Sequence, residues 1–300
     1  MNAEHEGLVS SVGHRAAARP HETISLSCGS PLLPCSLKSC RHGLMAYPQR
    51  DAYVGRSLAL YSEYGEDEVQ LLLKIVRPGD VVVEAGANIG ADTVPIARYL
   101  GANGQLLAFE PQRLIFQLLC TNLALNGIVN VRSYHAAVGA TNGALIVPEL
   151  DYAAHNNFGG VSLREVGSGE RVSAVMLDAF ELPRCALIKA DVEGMERQVL
   201  RGAEATIRRC KPRLYLENNC GPESAELIEC VLSLGYRAFW HTPPLYSPEN
   251  FAKNSENLFP GIVSTNMLCL HPDDPLQLVN FRVVSGPDDV ALASQRAGRR

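Results

Sequence analysis

The chain has 300 residues, enough for one large α/β domain or two small ones, and its hydrophobic content of 46% can fill an ordinary core. A formal net charge of -5 gives no basic surface of the kind that nucleic acids require, so we predict no nucleic-acid partner. The longest apolar runs are too short for a membrane span, and the first residues lack the apolar centre of a signal peptide. These features predict a cytoplasmic protein.

The composition of the two ends differs from that of the middle. Residues 1–50 are rich in Ser, Pro, Gly, Arg and His without apolar periodicity, which predicts a weakly ordered N-terminal extension. We expect one folded domain over residues 51–285 and a frayed C-terminal tail over residues 286–300.

Four soft metal ligands lie close together within the predicted extension: Cys28, Cys35, Cys40 and His42. Such a set could hold zinc, but no pair has the CxxC spacing of common zinc sites. Ordinary reduced thiols are therefore the favoured interpretation.

The first predicted element of the folded domain is a helix in SEYGEDEVQLLLKIVRPGD. Ser62 is its possible cap, acidic residues occupy the first turn, and Pro78-Gly79 ends it. Strands are then predicted at VVVEA, QLLAFE, NVRSYHAAV, ALIVPEL, RVSAVML, CALIKADVEG, PRLYLENN, YRAFW and VSTNMLCLHP. Helices are predicted at IGADTVPIARYLG, QRLIFQLLCTNLALNG, EGMERQVLRGAEATIRRC and AELIECVLSLG. This alternation predicts an α/β fold with a mostly parallel twisted sheet and helices on both faces.

Ligands of such sheets bind outside the carboxyl ends of the strands, where the strand order reverses. The first exit carries the turn EAGANIG, and the second carries Glu110, about twenty residues after Gly90. An acid at that place is suited to accept hydrogen bonds from both hydroxyls of a ribose. In the first turn, Asn88 replaces the middle glycine that lets a pyrophosphate approach, which weighs against NAD. Glu84 would instead suit the ammonium group of S-adenosylmethionine.

Taken together, VVVEAGANIG, LLAFEPQ and LIKADVEGMERQVLRGA resemble the motifs of the FkbM family of S-adenosylmethionine-dependent methyltransferases. The resemblance runs from about residue 66 to residue 271 and implies a class I, Rossmann-like fold. It also implies roles for individual residues. The methionine end of the cofactor would be lined by Glu84, Gly86, Asn88 and Gly90, the ribose would be held by Glu110, and the adenine would be bordered by Ala136, Ala137 and Val138.

Transfer of a methyl group to a hydroxyl needs a base and in-line positioning. Lys189, Asp191 and Glu193 alternate along a strand exit, so their side chains share one side of an extended segment. Asp191 is predicted to be the base, a metal ligand or a clamp on the cofactor's ammonium, although capping the next helix is compatible with each role. Lys189 has to find a carboxylate or reach solvent, and we expect it to pair with Asp191 or Glu217, either as a structural ion pair or as part of the chemistry.

Two further candidates lie near the predicted acceptor site. His155, in the polar loop with the sequence HNNFGG, could serve as the base if the loop covers the cofactor. Asp191 with Glu217 and Asn218 offers the oxygen ligands that Mg²⁺ prefers, so a divalent metal is possible, but it is not favoured. The aromatic and Asn-rich stretch FWHTPPLYSPENFAKNSENLF could form a wall for a sugar.

The resemblance implies O-methylation of a hydroxyl on a carbohydrate or secondary metabolite, with a small-molecule or glycan acceptor as the partner. Two alternatives stay open. An NAD-dependent oxidoreductase would share the Rossmann-like logic, and a non-catalytic cofactor-binding module would keep the fold without turnover.

Overall fold

The computed structural model describes residues 23–24, 32–163 and 167–291. In chain order its strands are β1 (Thr23–Ile24), β2 (Cys35–Cys40), β3 (Gly43–Pro48), β4 (Val81–Ala85), β5 (Gln105–Phe109), β6 (Val131–Tyr134), β7 (Ala136–Val138), β8 (Gly143–Val147), β9 (Glu170–Val175), β10 (Leu187–Ala190), β11 (Arg213–Glu217), β12 (Arg237–His241), β13 (Asn266–Leu270) and β14 (Arg282–Val283). The helices are α1 (Val54–Tyr61), α2 (Glu66–Ile75), α3 (Thr93–Leu100), α4 (Arg113–Leu125), α5 (Glu196–Arg201), α6 (Glu204–Cys210) and α7 (Ser224–Ser233), with a 3-10 turn at Leu177–Phe180.

The central sheet has the strand order β14-β12-β13-β11-β10-β4-β5-β6. The five strands from β11 to β6 are parallel, and β13, β12 and β14 add an antiparallel edge. From β4 the chain builds outward to β5 and β6, then returns to build β10 and β11 on the other side. The strand order therefore reverses between β4 and β10, which is where α/β sheets bind ligands.

Apolar side chains cover both faces of the sheet. One core cluster packs α1 to α4 against residues such as Val82, Leu106 and Leu187, and the other packs α5 to α7 against residues such as Val83, Leu107 and Ile188. Neighbouring residues of one strand point to opposite faces. The predicted mostly parallel sheet with helices on both faces is confirmed.

A β-hairpin of β2 and β3 lies within the segment that the sequence analysis placed in a weakly ordered extension. Met45 and Tyr47 are buried, and the side-chain amide of Asn122 on α4 bonds the backbone N–H and carbonyl of Ala46 at 2.7 and 3.0 Å. The expectation is therefore wrong for residues 32–50, because the hairpin packs on a helix far along the chain. The other extension residues lie outside the described part, apart from the short strand β1.

The C-terminal boundary also extends further than the sequence predicted. The Arg282 guanidinium pairs with Asp289 at 2.8 Å, and Ala291 is fully buried. Residues 286–291 therefore belong to the folded unit, and the predicted frayed tail beyond them lies outside the described residues.

Three predicted elements have different bounds in the structure. Ser62 ends α1 in the left-handed conformation, with φ of 57°, and the N-cap of α2 is Gly65. The predicted strand NVRSYHAAV is divided at His135 between the central sheet and a small sheet of order β7-β9-β8. The long predicted helix after β10 is broken at Gly202, where a Cβ would lie 2.0 Å from the Gly139 carbonyl oxygen.

Candidate active site

The carboxyl ends of β4, β5, β10 and β11 open into one cavity of about 310 Å³, which we call the main cavity. A narrower slot of about 40 Å³ adjoins it beyond the end of β5. Gly86, Glu110, Gly159 and Asp191 line both spaces. The two spaces therefore meet at the point where the strand order reverses.

The turn after β4 approaches β10 very closely. Gly86 has φ of 83°, and a Cβ on it would lie 1.8 Å from the Asp191 carbonyl oxygen. Gly90 has φ of 85°, and its Cβ would lie 2.8 Å from Leu119. Both positions therefore require glycine. Asn88, with φ of 49°, accepts a hydrogen bond from the Ile89 N–H at 2.7 Å through its own side chain.

Glu110 is buried at the junction of the two spaces. Its two carboxylate oxygens accept hydrogen bonds from the Asn88 N–H at 2.9 Å and the Gln112 N–H at 2.8 Å. Burial raises the pKa of Glu110 to about 7, while these two backbone donors oppose the shift. Because each oxygen keeps a second lone pair, both can still accept hydrogen bonds from a ligand in the cavity.

The slot is lined on one side by Phe109 and by all three residues of β7, including Ala137, and on the other by Val161 and Leu163. These side chains suit a flat apolar ring. Ala137 and Glu110 therefore line the same slot.

A polar row crosses the otherwise apolar face that packs against α1 to α4. The strand register places Lys189 on β10 directly beside Glu84 on β4 and Tyr215 on β11. Helices α2 and α3 pack on this face, bringing Glu68 near the row, and Asp92 just before α3 joins it. The sequence therefore folds one lysine into a group of acids, which we call the Lys189 cluster: Glu68, Glu84, Asp92, Lys189 and Asp191.

The Lys189 Nζ lies 3.0 Å from Asp92, 3.8 Å from Glu68 and Asp191, and 3.9 Å from Glu84. Burial alone would lower its pKa, but the surrounding carboxylates raise it well above the usual value. Lys189 is therefore protonated and is not the base. Its predicted partnership with Asp191 is found, whereas Glu217 is not among these partners.

Glu84 is only 1% exposed and does not line either space. It accepts a hydrogen bond from the Thr93 hydroxyl at 2.7 Å, and burial raises its pKa to about 7, opposed by Lys189. The structure thus places Glu84 behind the cavity wall, not at the position of direct cofactor contact that the sequence predicted.

Asp191 of the Lys189 cluster also belongs to a second group, which has three carboxylates. One oxygen each of Asp191, Glu193 and Glu217 lies within 4.8 Å of the others. Burial raises the pKa of Glu193 to about 7, and burial with the neighbouring acids raises that of Glu217 well above its usual range. The three could hold a divalent cation. Asn218, which the sequence analysis included as a ligand, bonds instead to the Cys220 N–H at 3.0 Å and to Met267.

The loop over residues 155–160, which we call the covering loop, contributes to the wall of the main cavity, and Asp51 anchors it. One oxygen of Asp51 accepts the Phe158 N–H at 3.0 Å and the other accepts the Gly55 N–H at 2.6 Å. Gln112 donates to the Phe158 carbonyl at 2.7 Å, so the following Gly159 is held at the cavity. Neither Asp51 nor Gln112 was found from the sequence, because their partners are distant along the chain.

His155, at the start of this loop, is exposed, contacts Arg50 at 3.2 Å and does not line the cavity. The structure therefore does not support a catalytic role for His155. The outer wall of the cavity is formed by Tyr53, Tyr64, Leu245 and Ile262. Of the predicted aromatic stretch, only Leu245 reaches the cavity.

The four residues that the sequence analysis weighed as a zinc site, and did not favour as one, are not brought together among the described residues. Cys35 and Cys40 lie at opposite ends of β2, about 17 Å apart at the usual rise per residue, and His42 pairs with Glu66 at 2.7 Å. Cys28 lies outside the described residues. The described members of this set therefore do not share a metal site.

No helix in the described part of the chain has the length and apolar character that a membrane span requires.

The chain is similar to several known methyltransferases. Methyltransferase sdnD of Sordaria araneosa is 29% identical over 157 residues, spanning 41% of this chain and 60% of that protein. The tRNA (adenine(58)-N(1))-methyltransferase catalytic subunit TRM61 of Cryptococcus neoformans is 36% identical over 63 residues, which are 21% of this chain and 14% of that protein. That relative is named for a tRNA. The comparisons therefore do not support the predicted absence of a nucleic-acid partner, and this absence stays a prediction.

Among solved structures, methyltransferase FkbM of Methylobacillus flagellatus is 16% identical with a TM-score of 0.44, covering 73% of this chain and 56% of that one. This chain therefore matches less than two thirds of the length of each of these relatives. The model of the methyltransferase FkbM domain matches residues 84–238, just over half of the chain, from Glu84 in β4 to the start of β12. The chain belongs to the FkbM methyltransferase family.

Proposed function

We propose that this protein binds S-adenosylmethionine across the slot and the main cavity and methylates a hydroxyl oxygen of an acceptor in the main cavity. The observation that carries the proposal is Glu110, a buried carboxylate at the junction of the two spaces with a free lone pair on each oxygen. A vicinal diol such as a ribose fits two such acceptors.

The residues around Glu110 fit the remainder of the cofactor. The apolar slot beside β7 suits the adenine. At the junction of the two spaces, Gly86 lets the turn after β4 pass directly against the Asp191 backbone, where no larger residue fits. Asn88 occupies the place where a pyrophosphate would need a glycine, which disfavours an NAD-dependent reaction.

When bound, S-adenosylmethionine supplies an electrophilic methyl group. The chain's contribution is to orient the acceptor, exclude water and remove the hydroxyl proton. The loop held by Asp51 covers the cavity, and the outer wall around Tyr53 and Leu245 offers an apolar surface to a sugar ring or a secondary metabolite.

Asp191 is our candidate for the base. It lies at the junction of the two spaces, its side chain is 39% exposed, and the protonated Lys189 lies 3.8 Å away. The Asp191 carboxylate therefore reaches the space in which the acceptor would lie, and the Lys189 ammonium orients it without taking the proton itself.

The test is methyl transfer from labelled S-adenosylmethionine to a panel of sugars and hydroxylated metabolites, with and without a chelator. Asp191→Asn should lower the rate by about 100-fold or more while cofactor binding changes little. Asp67→Asn, exposed on α2, is the matched control. Methylation of amines alone, or a rate unchanged in Asp191→Asn, would contradict the proposal, and loss of activity on chelation would assign the three-carboxylate group to a metal.

A further inference from the structure

A polar space adjoins the main cavity beyond the end of β11. Its volume is about 190 Å³, and we call it the side cavity. Its walls come from the segment that leads from β10 into α5 and from the segment that leads from β11 into α7. Glu193, Glu217 and Asn219 line both the side cavity and the main cavity, so the two spaces meet at these three side chains.

The shared side chains lie next to the proposed base. One carboxylate oxygen of Glu193 and one of Glu217 lie within 4.8 Å of a carboxylate oxygen of Asp191. The exposed side chain of Asn219 donates a hydrogen bond to Glu217 at 2.9 Å. An acceptor ring whose hydroxyl reaches Asp191 would therefore bring a neighbouring substituent to these side chains, at the entrance of the side cavity.

The lining of the side cavity differs from the outer wall of the main cavity. Of the twelve described residues that line the side cavity, nine have polar or charged side chains, two are glycines, and one, Leu227, is apolar. The outer wall of the main cavity contains Leu245, Ile262 and two tyrosines. A polar lining gains little from burying hydrocarbon, whereas it can exchange hydrogen bonds with a polyol. The side cavity therefore suits a hydroxylated occupant.

The charge of the side cavity favours a neutral occupant over an anionic one. Among the described residues, four glutamates line it against one basic residue, Arg197, whose guanidinium pairs with Glu226. Burial raises the pKa of Glu193 and Glu196 to about 7, so both are mostly ionised at pH 8. A phosphate or a uronate would be repelled by these carboxylates, whereas the hydroxyls of a neutral sugar can donate hydrogen bonds to them.

We propose that the acceptor is a neutral oligosaccharide, with the sugar that is methylated in the main cavity and the sugar linked to it in the side cavity. This inference rests on the proposed function and chooses a glycan over an apolar secondary metabolite as the acceptor. The second sugar makes contacts that a single sugar cannot reach, and binding energy from such a remote part of a substrate raises kcat/KM. A disaccharide is therefore a better substrate than the monosaccharide that it contains.

The experiment measures methyl transfer from labelled S-adenosylmethionine at pH 8. The acceptors are glucose, galactose, mannose and rhamnose, and disaccharides that join each of them to a second neutral hexose. For the sugar that is methylated, kcat/KM should be about tenfold or more higher in the disaccharide, and a uronic acid as the second unit should remove this advantage. Equal kcat/KM for both lengths, an advantage retained with the uronic acid, or methylation of apolar metabolites alone would overturn the inference and leave the proposed function intact.

A variant that fills the side cavity tests the position of the second sugar. Gly221 lines the side cavity and neither of the other two spaces, and a Cβ on it would lie 3.8 Å from Glu223, an ordinary contact. Gly221→Phe should lower the ratio of kcat/KM for the disaccharide to that for the monosaccharide to about one. Gly143→Phe is the matched control and should keep the ratio, since this glycine is exposed on β8 and no described atom lies within 4 Å of its Cβ.

A thermal melt of each variant reports folding, and Gly221→Leu replaces the phenylalanine variant if that one does not fold. An unchanged ratio in a folded variant at Gly221 would overturn the inference. Absence of methyl transfer to any hydroxyl by the unsubstituted protein would contradict the proposed function itself, and the inference with it.

Discussion

Replacing Glu110 with glutamine tests the ribose contact while keeping the shape of the side chain. The change removes the charge and turns an amide NH₂ toward one of two backbone donors, the N–H of Asn88 at 2.9 Å or that of Gln112 at 2.8 Å. A hydrogen bond to a charged group contributes roughly 1.5–3 kcal/mol, and two ribose hydroxyls would each lose such a partner. Allowing for the bond that the amide oxygen keeps, we expect a loss of about 3 kcal/mol in binding, or about a hundredfold in Kd.

The assay is calorimetric titration with S-adenosylhomocysteine at pH 8, where a carboxyl with a pKa of about 7 is mostly ionised. Glu149→Gln, at an exposed position, is the matched control. A Kd within threefold of the unsubstituted value, in a Glu110→Gln protein that melts at the normal temperature, would refute the ribose contact.

Three other predictions concern the turn, the covering loop and the buried acids. Gly86→Ala places a Cβ 1.8 Å from the Asp191 carbonyl oxygen, so we expect a lower melting temperature and no cofactor binding; a normal melt with normal binding would contradict the close approach. Asp51→Ala removes the acceptor that ties the Phe158 N–H of the covering loop to the Gly55 N–H of α1, so the loop should become more sensitive to protease and the acceptor KM should rise, and unchanged proteolysis would count against the anchor. Burial raises the pKa of Glu84 and Glu110 from 4.5 to about 7. Their contribution to the free energy of unfolding is therefore fully present below about pH 4.5 and is lost as the pH rises through 7. Urea unfolding of the ligand-free protein should therefore show a free energy that falls from pH 5 to pH 8, and a rise over that interval would be inconsistent with these shifts.

The strand exits were predictable from the sequence because their signals are local. An acid directly after a run of buried residues, as at Glu110, marks a strand end, and a glycine turn such as the one at Gly86 marks a close backbone approach. The parallel sheet then follows from the alternation of strands and helices, since helical crossovers connect parallel strands.

The partners in the site were less predictable because tertiary packing chooses them. Asp92 looks like an ordinary helix cap in sequence, and only the strand register beside α2 and α3 places it next to Lys189. The contact of Asp51 with the covering loop leaves no local signal, since Phe158 is over a hundred residues away. The hairpin was missed for the same reason, as its contacts come from Asn122 on α4.

In the polar loop around His155, the sequence suggested a catalytic residue where the structure places an exposed side chain. His155 has the residue type and neighbours of an active-site loop, but the same loop directs Gly159 to the cavity and leaves the histidine in solvent. Side-chain direction in an irregular segment depends on its anchors, which the sequence does not reveal.

The most direct test of the account is titration of the unsubstituted protein with S-adenosylhomocysteine, with Mg²⁺ and again after metal removal. The account predicts binding of one ligand per chain in both conditions, competed by S-adenosylmethionine and not by NAD. Absence of binding in both conditions, or competition by NAD alone, would contradict it.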